Sequence, residues 1–285
     1  MLNHAKRILA HLARHLPRPF ASGQEDSVAA RRMDMAMMAH WHSKQAASGN
    51  PLLRAGAKFF SQNDEDGILL EIIRRTGISE GKFVEIGVGD GLENNTLVLL
   101  MLGWRGLWVG GEGLAFATGG SAKLSFHKLW VTPQNVGPTM RKGLAELGLD
   151  ANNIDVVSVD IDSYDRELVQ AILDFGTRPV LFIVEYNAKF PPPIRFAVTG
   201  REPWDDSDYF GSSLQSWWDL LIPAGYKLIA CNITGVNAFF VRSDQSHLFE
   251  DTPTDISQLY MQCDYNWFLK VGHPTSPRTV LYFIE

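Results

Sequence analysis

Residues able to do chemistry gather in three stretches of this sequence. The first runs Lys82-Phe83-Val84-Glu85-Ile86-Gly87-Val88-Gly89-Asp90-Gly91, with three glycines on alternate positions and an acid two places before the first. Glycine lets backbone N–H groups approach a bound molecule that a Cβ would push away. A dinucleotide fingerprint wants G-x-G-x-x-G beneath a pyrophosphate. The spacing here differs, and Glu85 repels a pyrophosphate while suiting a cationic amino group. The second stretch, Ile154 to Asp165, carries Asp160, Asp162 and Asp165, and the third, Pro179 to Asn187, ends in Glu185 and Asn187. Carboxylates gathered without lysine or arginine partners need a proton or a cation. Hard oxygen donors suit Mg2+, Mn2+ or Ca2+, so Asp160, Asp162, Glu185 and Asn187 form a candidate metal set. A second reading stands beside it, with Asp160 and Asp162 capping the next helix and Glu185 holding a loop or substrate amide.

The elements that must position these residues follow from periodicity. Each stretch opens as a short apolar run of buried-strand character. The glycine turn leads into Thr96 to Leu102, apolar and helix-forming, so the unit reads strand, turn, helix, with free N–H groups and a positive dipole end at the helix start. Before it, Ser61-Gln62-Asn63-Asp64-Glu65-Asp66 reads as a helix start with acids placed by the dipole, Ile68, Leu69, Ile72 and Ile73 as its buried stripe, and Gly77 as its end. Leu107-Trp108-Val109 is a second strand that ends at Gly110-Gly111-Glu112. An acid roughly twenty residues past such a turn is placed to hold a ribose. The Gly-rich connection Leu114 to Ala122 shows no crossover helix. A third strand, Leu124 to Val131, precedes Thr132, Gln134 and Asn135 and a helix from Val136 to Leu147. In a doubly wound sheet, ligands sit at the carboxyl ends of the strands, which would bring the acids to one mouth. The Pro-rich segment Phe190 to Trp204, with Arg195 and Arg201, reads as a lid or substrate wall. Ser212 to Leu221 reads as a helix, and the strands Gly225–Ala230 and Val236–Val241 as an antiparallel hairpin. Thr279 to Ile284 reads as a final strand.

The totals narrow the classes. With 285 residues, 45% hydrophobic and 20% charged, the chain has ordinary globular composition. A net charge of −6 argues against a general nucleic-acid binder. Two cysteines, Cys231 and Cys263, make neither a disulfide framework nor a zinc site and fit a cytoplasmic setting. No apolar run is long enough to span a bilayer, and no secretory signal is expected. Residues 1–18 form a basic amphipathic segment, suited to peripheral contact with an anionic membrane or to packing on the domain or on a second subunit of an oligomer. The expected organisation is an N-terminal helical extension over 1–50, a main domain over 51–244 and a C-terminal extension over 245–285 packed on it.

From about Ser61 to Asp244 the signals resemble a class I S-adenosylmethionine-dependent methyltransferase, in the FkbM-type bacterial branch. The residues that carry the resemblance are Ser61-Gln62 with Glu65-Asp66-Gly67, the Phe83–Gly91 turn, Ser158–Asp162, Val184–Asn187 and Gly235–Val241. It implies an α/β Rossmann-like, doubly wound seven-stranded sheet closed by an antiparallel hairpin. It implies S-adenosylmethionine held by Glu85, Gly87, Gly89, Asp90, Gly91, Asn95, Glu112 and Asp160, and a divalent cation (Mg or Mn) on Asp160, Asp162, Glu185 and Asn187. The acceptor it implies is a hydroxyl of a sugar or related small molecule, with Asp162 or Asp165 as base and His127 as a distant third. A catalytically inactive binding or assembly module is the alternative, favoured by the Gly-rich gap after Glu112. A nicotinamide oxidoreductase is disfavoured by Glu85 and the glycine spacing.

Overall fold

The computed structural model describes residues 24–200, 204–263 and 273–284. The chain divides into two compact units, Met1–Ser43 and Lys44–Glu285. The basic segment 1–18 and Arg201 lie outside the described residues. Helix α1 spans Gln24–Ala47 and exposes Met33, Met35 and Met38. No helix among the described residues is long and apolar enough to cross a membrane.

The second unit is built on a seven-stranded sheet. Its elements are α2 (Pro51–Arg54), α3 (Glu65–Thr76), β1 (Lys82–Ile86), α4 (Leu97–Met101), β2 (Arg105–Gly110), β3 (Leu124–Lys128), α5 (Val136–Ala145), β4 (Val156–Val159), α6 (Asp165–Asp174), β5 (Leu181–Glu185), α7 (Leu214–Leu221), β6 (Tyr226–Cys231), β7 (Asn237–Arg242), a 3-10 helix (Ser243–Phe249), α8 (Ile256–Leu259) and α9 (Pro277–Ile284). The sheet order is β3-β2-β1-β4-β5-β7-β6. Strands β1 to β5 pair in parallel, and β7 runs antiparallel to both β5 and β6. The order reverses between β1 and β4, which places a topological switch point at the glycine turn.

Strand alternation separates the chemistry from the core. Val84, Ile86, Val157, Val159, Phe182, Val184, Ala238 and Phe240 belong to one buried cluster with Met140 and Leu144 of α5, Leu168 and Ile172 of α6, and Trp217 of α7. The intervening residues Glu85, Ser158, Ile183 and Phe239 lie in register across the opposite face. Continuing that face by two positions toward the carboxyl edge gives Gly87, Asp160 and Glu185, and Asn237 opposite Glu185. One face is therefore apolar to its end, and the other ends in polar groups.

Two local expectations change. Glu65 and Asp66 do stand in the first turn of α3, as the helix dipole favours, but they are fully buried and Asp64 nearly so. Backbone donors make this tolerable. Asp66 Oδ2 accepts from the N–H groups of Phe59, Phe60 and Ser61 at 2.8, 2.5 and 2.8 Å. Glu65 accepts from Asn63 N–H and Asn232 Nδ2, and Asp64 from Ile233 N–H and Gln45 Nε2. The second change is at Thr279–Ile284, which is helical as α9 rather than a strand. Asp208 Oδ1 anchors the start of α9 by accepting from Ser276 N–H (2.8 Å) and Thr279 Oγ1 (2.7 Å), and the Tyr282 and Phe283 rings meet Phe196. Tertiary anchoring overrides the strand-like composition here.

Asp64 yields a stability prediction. Burial, reinforced by the neighbouring Glu65 charge, pushes its pKa up to about 7 from 3.8. The folded state then holds a proton that the unfolded state has released, so stability falls as pH rises from about 4 through about 7. Asp64→Asn keeps the acceptor oxygen and removes the titration. Urea denaturation is expected to find the variant about 2–4 kcal/mol more stable than the parent at pH 8 and equal to it at pH 4. An unchanged pH slope in the variant would remove Asp64 as its source.

Candidate functional site

The glycine turn crosses the end of β4 at very close range. Gly87 has φ +99°, and a Cβ there would lie 1.5 Å from the Asp160 carbonyl oxygen. Gly87 therefore lets β1 pass over β4, which is pinned by Asp160 N–H donating to Ile86 O at 3.0 Å. Gly89, at φ +52°, has no atom within 4 Å of its Cβ position, and both glycines are exposed. Open space thus faces the turn at Gly89. Asp90 is half-buried, and its Oδ1 accepts from Leu92 N–H at 3.1 Å.

Gly91 faces inward, against Leu114, Phe116 and Trp108. This accounts for the connection after β2. In place of a crossover helix, residues 111–123 fold back on the glycine turn, with Ala115 N–H donating to Asp90 O at 2.8 Å and Phe116 meeting Trp108 edge-on. Glu112 is exposed just beyond β2. Beside it, Gly111 lies against the Trp130 ring, which is 75% exposed. Sequence reading placed Trp130 inside a strand, but β3 ends at Lys128, which leaves the indole on the surface. An aromatic residue two places past a strand end was the available signal.

Glu85 does not face the open turn. It is 5% exposed, and its oxygens accept from Asn95 N–H (2.9 Å), Thr96 N–H (2.9 Å) and Thr96 Oγ1 (2.5 Å). The Thr96 hydroxyl in turn accepts from Trp108 Nε1 at 2.8 Å, and Asn95 Nδ2 donates to Ser158 Oγ. Burial pushes the Glu85 carboxyl above its ordinary range, and these donors oppose the shift. The expectation that Glu85 takes a cationic group directly, with free N–H groups at the helix start, is corrected. A buried carboxylate must be hydrogen-bonded, and the nearest donors are the N–H groups leading into α4. Asn95, expected at the cofactor, is likewise 7% exposed and bonded within the protein.

The acids after β4 and β5 do converge. Ligand oxygens of Asp160, Asp162 and Glu185 all lie within 4.8 Å of one another. Burial, then repulsion from the surrounding carboxylates, holds the Asp160 and Glu185 pKa values well above the usual range, and the two side chains are hydrogen-bonded to each other. Glu185 Oε2 is buried with no hydrogen-bond partner. Asp162 is exposed and adopts φ +56°, a conformation that L-residues seldom take. Asp165, expected as a base, holds that turn in place: it is fully buried and accepts from Ile161 N–H (2.7 Å) and Ser163 N–H (3.0 Å). It is the first residue of α6 and ties down the turn before the helix. His127 is bonded to Glu146, away from this group on β3.

Asn187 also differs from expectation as a metal ligand. Its Nδ2 donates to Asp208 O (2.9 Å) and Phe210 O (3.1 Å), and its Oδ1 accepts from Lys189 N–H (3.2 Å). It is 2% exposed and ties the wall segment to β5. That wall has its own small core of Phe190, Phe196 and Val198, and Asp208 is paired with Lys189 at 2.7 Å. A cavity of about 240 Å3, lined by Ala188, Lys189, Pro191, Tyr260, Gln262 and Cys263, lies beside the segment that follows β5.

The strand order, the antiparallel β7 and the glycine turn at the switch point define a doubly wound, Rossmann-like α/β fold. No protein-family model matches the chain, and no curated protein matches it. Among solved structures the chain is similar to Burkholderia thailandensis 1,6-didemethyltoxoflavin-N1-methyltransferase with bound S-adenosylhomocysteine, at 12% identity over 79% of this chain and 92% of that one, TM-score 0.39. It is also similar to the glycopeptide N-methyltransferase MtfA complexed with S-adenosylhomocysteine, at 16% identity over 67% and 95%, TM-score 0.30.

Proposed function

We propose that this chain is an S-adenosylmethionine-dependent O-methyltransferase of the FkbM-type branch, acting on a hydroxyl of a sugar or related small molecule with the assistance of a divalent cation. The observation that carries the reading is the exposed bend at Gly87 and Gly89, open at Gly89 and set at the switch point beside three converging carboxylates. The cofactor fits what is there. The bend leaves space where a side chain would otherwise stand, Glu112 is an exposed acid placed for a ribose, and the exposed Trp130 ring beside it offers a flat surface to a nucleobase. A divalent cation fits as well, because Asp160, Asp162 and Glu185 are hard oxygen donors with no lysine or arginine among them, and one buried oxygen has no partner.

When bound, S-adenosylmethionine supplies an electrophilic methyl on a sulfonium sulfur. The residues align the acceptor with that methyl and receive its proton. Asp162, exposed at the mouth, would take the proton of the acceptor hydroxyl on one carboxylate oxygen, and the hydroxyl oxygen would receive the methyl that the cofactor supplies. Asp160, Glu185 and the other oxygen of Asp162 would hold the cation, which would lower the pKa of the hydroxyl and orient it. Glu85 acts one step back, fixing the Asn95–Thr96 backbone against the turn. The inactive-module alternative loses its motive, since the Gly-rich connection after Glu112 is packed on the turn.

Calorimetric titration of the full chain with S-adenosylhomocysteine tests the reading. Binding is expected, followed by transfer of one methyl to a member of a sugar and glycoside panel, read by mass spectrometry. Folded protein that binds neither S-adenosylhomocysteine nor S-adenosylmethionine would overturn it, and tight NADH binding would put a nicotinamide enzyme in its place.

A further inference from the structure

The Gly235–Val241 stretch begins β7 with an asparagine in an otherwise apolar strand, and the function above does not use it. Asn237 stands opposite Glu185 in the antiparallel β5–β7 pair. Tyr186 N–H donates to Val236 O at 2.8 Å, so Glu185 and Asn237 form a non-hydrogen-bonded pair. In such pairs the side chains come closest and share one face of the sheet, with Cβ atoms about 4.5–5.5 Å apart. Asn237 is 3% exposed, and its Nδ2 donates to Glu65 Oε1 at 3.1 Å. Glu65 is fully buried and is held in turn by Asn232 Nδ2 (2.7 Å) and Asn63 N–H (2.8 Å). A carboxylate that accepts from the amide nitrogen fixes which way the amide points. Asn237 Oδ1 is left facing away from Glu65, buried and without a partner, as is Glu185 Oε2 on the cross-strand residue. Gly211 faces that Glu185 oxygen, since a Cβ there would lie 3.7 Å away.

Two buried acceptors on neighbouring side chains, with no donor supplied, are costly unless something positive or donating joins them. Glu185 is already one of three converging carboxylates. We propose that Asn237 Oδ1 is the fourth protein oxygen of a divalent-cation site formed with Asp160, Asp162 and Glu185, and that Glu65 is its positioning residue. The inference rests on the cation-assisted reading and deepens it. It gives the amide-oxygen role to β7 instead of Asn187, whose amide is bonded to the wall segment. Three carboxylates and one neutral amide oxygen suit Mn2+ or Mg2+, with remaining positions open to water or the acceptor hydroxyl.

The test is Mn2+ titration of the EDTA-treated full chain, with free Mn2+ read by electron paramagnetic resonance and folding by circular dichroism. The parent is expected to bind Mn2+ and Asp160→Asn to lose it. Asn237→Ala should weaken binding by more than tenfold, and Glu65→Gln, which frees the amide to turn over, by about 10–100-fold. Asn237→Asp combined with Glu65→Gln, which avoids setting two carboxylates 3.1 Å apart, adds a charged oxygen at the same place and should bind Mn2+ at least as tightly as the parent, with a larger thermal shift on adding metal. It also keeps the test open if the alanine variant does not fold. Parent-like Mn2+ affinity in a folded Asn237→Ala, or weakened affinity in the folded Asn237→Asp/Glu65→Gln double variant, would overturn the inference while leaving the cation reading intact. A parent that binds S-adenosylhomocysteine but no Mn2+ would sink both, and the paired acceptors would hold water only.

Discussion

Gly87→Ala is expected not to accumulate as folded protein, whereas Gly89→Ala should fold and bind S-adenosylhomocysteine more weakly than the parent. At Gly87 the added Cβ would sit 1.5 Å from the Asp160 carbonyl oxygen and 2.6 Å from its carbon. That backbone cannot yield cheaply, because β4 is held in register to β1 and Asp160 N–H is bonded to Ile86 O. The φ of +99° adds strain of its own for any residue with a Cβ. A cost above about 4–5 kcal/mol follows, against a total stability of about 5–15 kcal/mol. Gly89 differs, with φ +52° and nothing within 4 Å of the Cβ position. Alanine there pays only left-handed backbone strain of about 1–2 kcal/mol. Its methyl nevertheless enters the space left open at the turn. S-adenosylhomocysteine affinity is expected to fall about 10–100-fold by calorimetry, the equivalent of about 1–3 kcal/mol of overpacking. Parent-like affinity in folded Gly89→Ala would show that the nucleoside lies elsewhere.

Glu85→Ala should act chiefly on stability. Three hydrogen bonds converge on this buried carboxylate, two of them from the backbone leading into α4. Their removal strands the N–H groups of Asn95 and Thr96 and frees the Thr96 hydroxyl that receives Trp108 Nε1. Unpaired buried donors cost about 1–3 kcal/mol each, so a loss of about 3–5 kcal/mol is expected in chemical denaturation. Glu85→Gln retains the volume but turns an amide nitrogen toward donors, and should fall between the two. Burial holds the Glu85 pKa above the usual carboxylate range. The parent therefore loses stability as pH rises through that value, and its margin over Glu85→Gln should narrow at high pH. A direct contact between Glu85 and the cofactor would give the opposite pattern: normal stability and lost affinity.

The amino-acid order alone carried the strand–turn–helix unit, the acids at three strand ends and the terminal hairpin. These are local signals, since apolar runs, glycine spacing and alternation each act within a few residues. The three-dimensional arrangement decided what each acid does. Asp160, Asp162 and Asp165 look alike in sequence, yet the first two meet Glu185 and the third turns back to cap the segment 161–163. Asn187 and Asn237 exchange their expected prominence for the same reason, since the wall segment captures one amide and Glu65, from a helix over a hundred residues away in the chain, orients the other. Which oxygen stays unpaired depends on contacts between residues remote in sequence, and on burial that no local pattern encodes. Residue type and strand position thus set which groups reach the mouth, and long-range hydrogen bonding sets which of them remain available to a ligand.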